Sequence, residues 1–363
     1  MTRAFEIPSS AGVSIGARRV QWVDAARAVC VLAITLMHFQ LWVMNPNVGD
    51  AVDVQMWRLI VDNVNQFSLS LLFILSGVLG SGRIRAGWSD RRNLVSAANF
   101  YYLYVLWLVI YWVVTQAFVS PTPMGVQTLD SLLPQLALPH TVVWFVLALA
   151  VYTLLFSGFP RLSPAVVLPI LAALSLSVPF LPGEEGNDLY LRVAYFAFHF
   201  GLGVYFGPSI LTLSRGPMTL KATISVAAYV GIRWVGSLLG AQPFTDGLVR
   251  IATELSASVA AIAVVVLVCQ KLPALGKGMA ALGRLTLPIF VIQMPVIWGF
   301  MAFQGWGAAF NSPVLRLFMP ILGIATISGI ALMAHWLLIR SPARFVFEMP
   351  RSFALLIGRR PSS

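Results

Sequence analysis

Charge is scarce in this chain: Asp, Glu, Lys and Arg supply 10% of 363 residues, too little to clothe a soluble protein of that length. Acidic residues are the scarcest, 13 against 24 Lys and Arg. There are two cysteines, Cys30 and Cys269, and both fall inside apolar runs, so neither a disulfide framework nor a cysteine metal site is supported. The four histidines have no metal-ligand spacing, and neither a Walker loop nor a Gly-x-Ser-x-Gly elbow occurs; no metal is expected. The net charge of +11 does not point to nucleic acid, because the basic residues sit in short segments between apolar runs and form no basic domain.

What the chain has in abundance is hydrophobicity, 58% of residues and a mean hydropathy of +0.83. Apolar runs of about twenty residues recur from Val20 to Ile339, each able to cross a hydrocarbon core of about 30 Å as a helix. The expectation is an all-α, polytopic transmembrane bundle of about ten helices, at 20–43, 60–81, 97–119, 141–158, 165–182, 190–208, 219–240, 250–270, 281–303 and 315–339. Breaks at Asn45-Pro46, Pro121-Thr122-Pro123, Pro182-Gly183, Gly216-Pro217 and Pro273 divide the runs. Residues 1–18 read as a cytoplasmic tail, 19–340 as the membrane domain and 341–363 as a basic cytoplasmic tail. The first run carries Asp24 and Arg27 in its opening turns, unlike a cleavable signal peptide.

With the N-terminus inside, eighteen of the 24 basic residues fall on the cytoplasmic side. They include Arg83, Arg85, Arg91, Arg92, Arg161, Lys271 and Arg340, as the positive-inside rule requires. The exceptions are Arg27, Arg58, Arg192, Arg233, Arg250 and Arg316. Both termini are therefore expected in the cytoplasm, and the lipid bilayer is the first partner.

Ionisable groups inside a span are expensive, and each is a functional candidate. Asp24 and Arg27 lie three apart on one helical face. His38 follows Arg27 by eleven residues, which at about 100° each returns to within about 20° of the same stripe and about 16 Å further along the axis. An imidazole with an ordinary pKa of about 6.5 is a reasonable general base. The alternative is a snorkelling Asp24–Arg27 pair with His38 bonded to a neighbouring carbonyl. Arg83, Arg85, Arg91 and Arg92 form a loop of four guanidinium groups able to fork onto phosphates, or simply a topology signal. Arg192, His199, Arg233, Arg250 and Glu254 are deep groups toward the outer side. By depth, Glu254 could orient His38; Arg250, four residues back on its own helix, is the rival partner.

The spacing Arg27-x10-His38 at the start of a first span resembles the membrane acyltransferase family known as acyltransferase 3. Leu72-Phe73-Ile74-Leu75-Ser76-Gly77 resembles its Phe-rich Ser-Gly stretch. The Arg91-Arg92 loop leading to Tyr102 through Trp107, the Val143-Trp144-Phe145 element, and Leu282-Gly283-Arg284-Leu285-Thr286-Leu287-Pro288-Ile289-Phe290 follow in the family's order. The resemblance implies helices around a pore, with an acyl-CoA donor, acetyl-CoA above all, entering from the cytoplasm. The acceptor would be a hydroxyl of an envelope saccharide or glycolipid outside, and the location the plasma (inner) membrane. It makes His38 the catalytic base; Glu254 enters as its helper only on the depth argument above. Substrate contacts fall to Arg27, Asp24, the loop arginines, Ser76, Trp144, Arg192, His199, Arg233 and Gln293. Two departures stand out: Ile292-Gln293-Met294-Pro295 has Gln where the family often has His, and Ser96-Ala97-Ala98-Asn99 lacks a common proline. Gln293 can hydrogen-bond but not accept a proton, leaving it a donor-positioning role. The competing readings are a transporter or lipid flippase using the same buried groups, and a scaffold subunit with degenerate catalysis. Acceptor identity, acyl chain and oligomeric state stay open.

Overall fold

The computed structural model describes residues 20–48, 52–118, 122–181, 189–239, 243–303 and 305–358. The expected N-terminal tail and the acidic residues Glu184, Glu185 and Asp188 lie outside them. Among the described residues there are helices and no strands. In order they are α1 (Gln21–Phe39), α2 (Asn45–Val48), α3 (Val52–Arg85), α4 (Arg92–Thr115), α5 (Leu129–Gln135), α6 (Trp144–Gly158), α7 (Pro164–Ser177) and α8 (Leu189–Thr212). There follow α9 (Met218–Leu238), α10 (Pro243–Lys271), α11 (Pro273–Gly283), α12 (Thr286–Ala302), α13 (Trp306–Phe310), α14 (Pro313–Ile339) and α15 (Arg351–Gly358).

Each apolar run expected to span meets a helix, but not every helix is long enough to cross alone. Six pass by length and composition: α1 with its extension to Val48, α3 from Val54, α4, α8, α10 and α14. The run expected as a single span at 281–303 is instead α12, entered from α11 through a 71° bend. Arg284 and Leu285 make that break, Leu285 leaving helical geometry at φ −111° and ψ 25°. Pro288 sits in the first turn of α12, where a missing N–H is harmless. α6 and the stretch Pro164–Phe180 are apolar but shorter; at about 1.5 Å per residue, fifteen residues of α6 reach only about 22 Å.

α1 is central, packing on α3, α10, α11, α12 and α14. Its end widens: Gln40–Met44 is π-helical, with the Asn45 N–H bonding the Gln40 carbonyl. Pro46 has no N–H to donate, and the Asn47 amide bonds the Val43 carbonyl from its side chain at 2.7 Å. The opening sits two residues beyond His38.

Two close backbone approaches fix the bundle. A Cβ at Gly77 would overlap the Phe200 carbonyl and one at Gly203 the Ile74 carbonyl, so α3 and α8 meet glycine to glycine. A Cβ at Gly283 would overlap the Asp24 carbonyl, which locks the end of α11 onto the start of α1. Between them lies an aromatic core in which Phe73 stacks on Phe196 at 5.2 Å and meets Phe145 at 4.6 Å and Trp144 at 5.8 Å.

Candidate active site

α1 presents one polar stripe, and α12 answers it. At the start of the stripe, Arg27 Nη2 donates to Thr286 Oγ1 at 3.0 Å, while Nη1 stands 3.8 Å from Asp24 Oδ1. Asp24 is buried and Arg27 partly exposed. Two turns on, Thr35 Oγ1 donates to Gln293 Oε1 at 3.0 Å and is also placed to donate to the Val31 carbonyl at 2.9 Å. One hydroxyl proton serves one acceptor at a time, so these two share it. The contacts at 27 and 286, then 35 and 293, show α1 and α12 running parallel. Thr286 is the first residue of α12, and the 71° bend is what delivers it to Arg27.

His38 ends the stripe, 8% exposed. Gln293 stands in hydrogen-bonding reach of its imidazole, and Arg192 of α8 is close enough for its charge to act there. His38 Nδ1 and Gln293 Nε2 are buried without a partner. Buried polar atoms are nearly always satisfied; these two, like His199 Nδ1 and Trp42 Nε1, keep hydrogen-bonding capacity for a further partner.

Glu254 serves a different histidine from the one expected. Its Oε2 lies 3.1 Å from His199 Nε2, and its Oε1 accepts from Arg250 Nε at 3.2 Å. Oε1 is hydrogen-bonded to Arg250 and Oε2 stands in ion-pair contact with His199 without a well-aligned hydrogen bond, so both oxygens face partners other than His38. The i,i+4 spacing on α10 favours Arg250, and the α3–α8 crossing carries His199 inward. Arg250 also covers the Tyr195 ring at 4.1 Å, and Ser258 donates to the Glu254 carbonyl at 2.7 Å while meeting Ser70 at 3.3 Å. The outer groups thus form a second network joining α3, α8 and α10.

The loop arginines separate. Arg83 donates to Ser96 Oγ at 3.1 Å, and its carbonyl is held by the Asn93 amide at 2.8 Å. Arg92 forks onto Asp90, Nη2 to Oδ2 at 2.6 Å, and that hydrogen bond holds the Asp90 carboxyl below the usual carboxylate range. Arg91 occupies the N-cap of α4. Arg85 faces an open cleft of about 480 Å³, lined also by Trp88, Ser89 and Arg161. The arginine from the 159–163 turn was read from the sequence only as topology. Ser76 donates to the Leu72 carbonyl of its own helix at 2.7 Å, and Trp144 lies in the aromatic core. Arg233 is away from both clusters, bonded to Tyr229 Oη at 3.3 Å.

Sequence reasoning missed Thr35 as a partner and the π-helical turn, neither of which has a distinctive residue signature. The pairing of His199 with Glu254 was also missed; it needed the helix crossing.

Apolar helices long enough to span, with ionisable side chains enclosed between them, define a multi-pass membrane protein with a polar interior. The family described as an acyltransferase domain matches residues 20–354, and the chain belongs to it: it is a membrane acyltransferase. No curated protein and no solved structure matches the chain. Membership decides between the enzyme and transporter readings in favour of the enzyme.

Proposed function

We propose that the protein is an O-acyltransferase, an acetyltransferase first of all, moving the acyl group of cytoplasmic acyl-CoA to a hydroxyl of an envelope saccharide or glycolipid. In this reading ten spans place both termini in the cytoplasm of a plasma-membrane protein, with residues 19–340 as the membrane domain. The short helices α6 and α7 and the bent α11–α12 pair count among the ten.

The observation that carries the reading is the α1–α12 seam, which ends on His38 with an unpartnered Nδ1 and on Gln293 with an unpartnered Nε2. His38 takes the proton of the acceptor hydroxyl as its oxygen bonds to the thioester carbonyl carbon. The tetrahedral intermediate places negative charge on the former carbonyl oxygen, where a carboxamide N–H of Gln293 is a suitable donor. Collapse breaks the carbon–sulfur bond, and the imidazolium returns its proton to the departing thiolate. A glutamine suffices for this role because it requires a hydrogen-bond donor and no proton exchange. Arg27, tied to Thr286, is placed to hold the donor's pantetheine or pyrophosphate part. The cleft between Arg85 and Arg161, floored by Trp88, suits the nucleotide end, with guanidinium groups for phosphates and an indole face for the base.

The test is turnover of radiolabelled acetyl-CoA by purified wild-type and His38→Ala protein in inside-out vesicles supplied with envelope extract. Loss of both coenzyme A release and label transfer in a folded variant is expected. Full transfer by folded His38→Ala would end this mechanism.

A further inference from the structure

A second cavity, of about 450 Å³, opens where α9 and α10 meet α1, α3 and α11. Its walls are almost wholly apolar. Ala257, Ala260 and Ala261 line it on α10, Phe67 on α3 and Met279 on α11. It runs on α10 from Ala257 to Cys269, twelve residues or about 18 Å. This is a slot for an extended chain rather than a chamber for a compact polar molecule. It is also separate from the acyl-transfer site: Ala25 and Val29 line it, and they face away from His38, nine residues after Val29 on the same helix and so about 180° round.

The mouth is polar. Tyr229 Oη donates to Asn63 Oδ1 at 2.7 Å and accepts from Arg233 Nη1 at 3.3 Å. Arg233 is exposed, its guanidinium stacked at 5.9 Å from the Tyr229 ring, and its hydrogen bond goes to a neutral hydroxyl. Asp62, next to Asn63 on α3, forms no ion pair with it. Trp234, 64% exposed, follows, as indoles do at the membrane interface. A guanidinium with no ion pair among the described residues, beside an interfacial Trp and above an apolar slot of chain length, has the charge and shape of a site for one amphiphile.

We propose that this groove binds one anionic phospholipid of the bilayer, an acyl chain in the slot and the phosphate at Arg233. Filling it excludes a void between α1, α3, α9, α10 and α11, on the side of α1 opposite His38, and ties α9 to α10. The phosphate supplies an anionic acceptor, which Arg233 does not have among the described residues. On the orientation proposed above, the lipid belongs to the outer leaflet. The proposal does not depend on the acyl-transfer chemistry.

The experiment uses full-length protein in phosphatidylcholine nanodiscs containing about 10% of a phosphatidylglycerol that carries a chain-borne diazirine, with a matched phosphatidylcholine probe in parallel. After photolysis, labelled peptides are mapped. Wild-type protein is expected to be labelled by the anionic probe on α10 between Ala257 and Cys269 several-fold above the lipid-exposed face of α14 around Leu322 and Met333. Val264→Trp, at a position 44% exposed and therefore safe for folding, should reduce labelling to the α14 level. Arg233→Gln, on the surface, should leave the phosphatidylcholine signal unchanged and abolish the preference for the anionic probe. Equal labelling of α10 and α14, or an anionic preference untouched by Arg233→Gln, would overturn the proposal. Both variants are checked for wild-type thermal unfolding, and the second stands if the first fails to fold.

Discussion

Gly283→Ala should damage the site without touching a polar atom. The added methyl meets the carbonyl oxygen of Asp24, which belongs to backbone and has no rotamer by which to yield. Something must move, and the movable body is the end of α11, one bend away from Thr286. Overpacking of this kind costs about 1–3 kcal/mol, and each kcal/mol moves a midpoint by about 2–4 °C in domains somewhat smaller than this one. At the low end of that scale, as suits a longer chain, an apparent unfolding midpoint lowered by about 2–6 °C follows. The functional effect should be larger. A shift of about 1 Å at a positioning contact costs about 100-fold in rate, and the Arg27–Thr286 bond sits at 3.0 Å directly beyond the bend. The control is Gly329→Ala in α14, where an added Cβ meets nothing within 4 Å; there the gain in helix propensity makes the change neutral to stabilising by up to about 1 kcal/mol. Tryptophan-fluorescence melts in detergent and coenzyme A release at a temperature well below both midpoints would be read side by side. If Gly283→Ala matched Gly329→Ala in both, the claim that this contact positions the seam would be wrong.

Arg27→Lys keeps the charge beside Asp24 but loses the fork that reaches Thr286; the KM for acyl-CoA should rise about tenfold, equivalent to about 1.4 kcal/mol, with kcat less affected, as initial-rate kinetics would show. Glu254→Gln should lower the unfolding midpoint, since hydrogen bonds to a charged group contribute about 1.5–3 kcal/mol, while the pH profile of acyl transfer stays in place because the carboxylate serves His199 rather than His38. Arg85→Gln with Arg161→Gln should weaken donor binding and flatten its salt dependence, measured by acetyl-CoA titration at several ionic strengths. The Asp90 carboxyl has a lowered pKa, so its contact with Arg92 contributes fully above the ordinary carboxylate pKa and is lost only as pH falls through the lowered one. Hydrogen exchange at 86–92 should therefore be the same at pH 5 and pH 7 after correction for intrinsic rates.

The helices were legible because the signal for each is long and local: an apolar run bounded by Pro and Gly. The stripe of Asp24, Arg27 and His38 was legible for the same reason, since one regular helix fixes their angles. Where regularity fails, the sequence is silent. Nothing in Gln40–Met44 announces a π-helical turn beyond the proline that follows it. The run from 281 to 303 reads as one span because Leu282–Phe290 stays apolar through a bend made by two residues. Partners on other helices were the hardest to place. Glu254 lies at the right depth for His38 and also for His199, and depth alone cannot choose between helices. The choice depends on the crossing of α3 and α8 at Gly77 and Gly203, which carries His199 to α10. In the sequence those glycines could equally have faced a ligand.

That dependence has a physical root. Between helices in lipid the hydrophobic effect contributes little, because a lipid tail is as apolar as a leucine. What remains is close contact and hydrogen bonding, and this chain uses the two together. Glycine at 77, 203 and 283 brings α3 against α8 and α11 against α1, and side-chain hydrogen bonds cross the neighbouring interfaces: Ser70 to Ser258 at 3.3 Å, Thr35 to Gln293 at 3.0 Å, Arg27 to Thr286 at 3.0 Å. A longer separation would leave the same groups reaching for lipid or for water. His38 and Gln293 meet inside the same close-packed seam, and each keeps a nitrogen unbonded. In the reading proposed above, these two nitrogens at the end of the stripe are the ones with an acyl thioester and a hydroxyl still to meet.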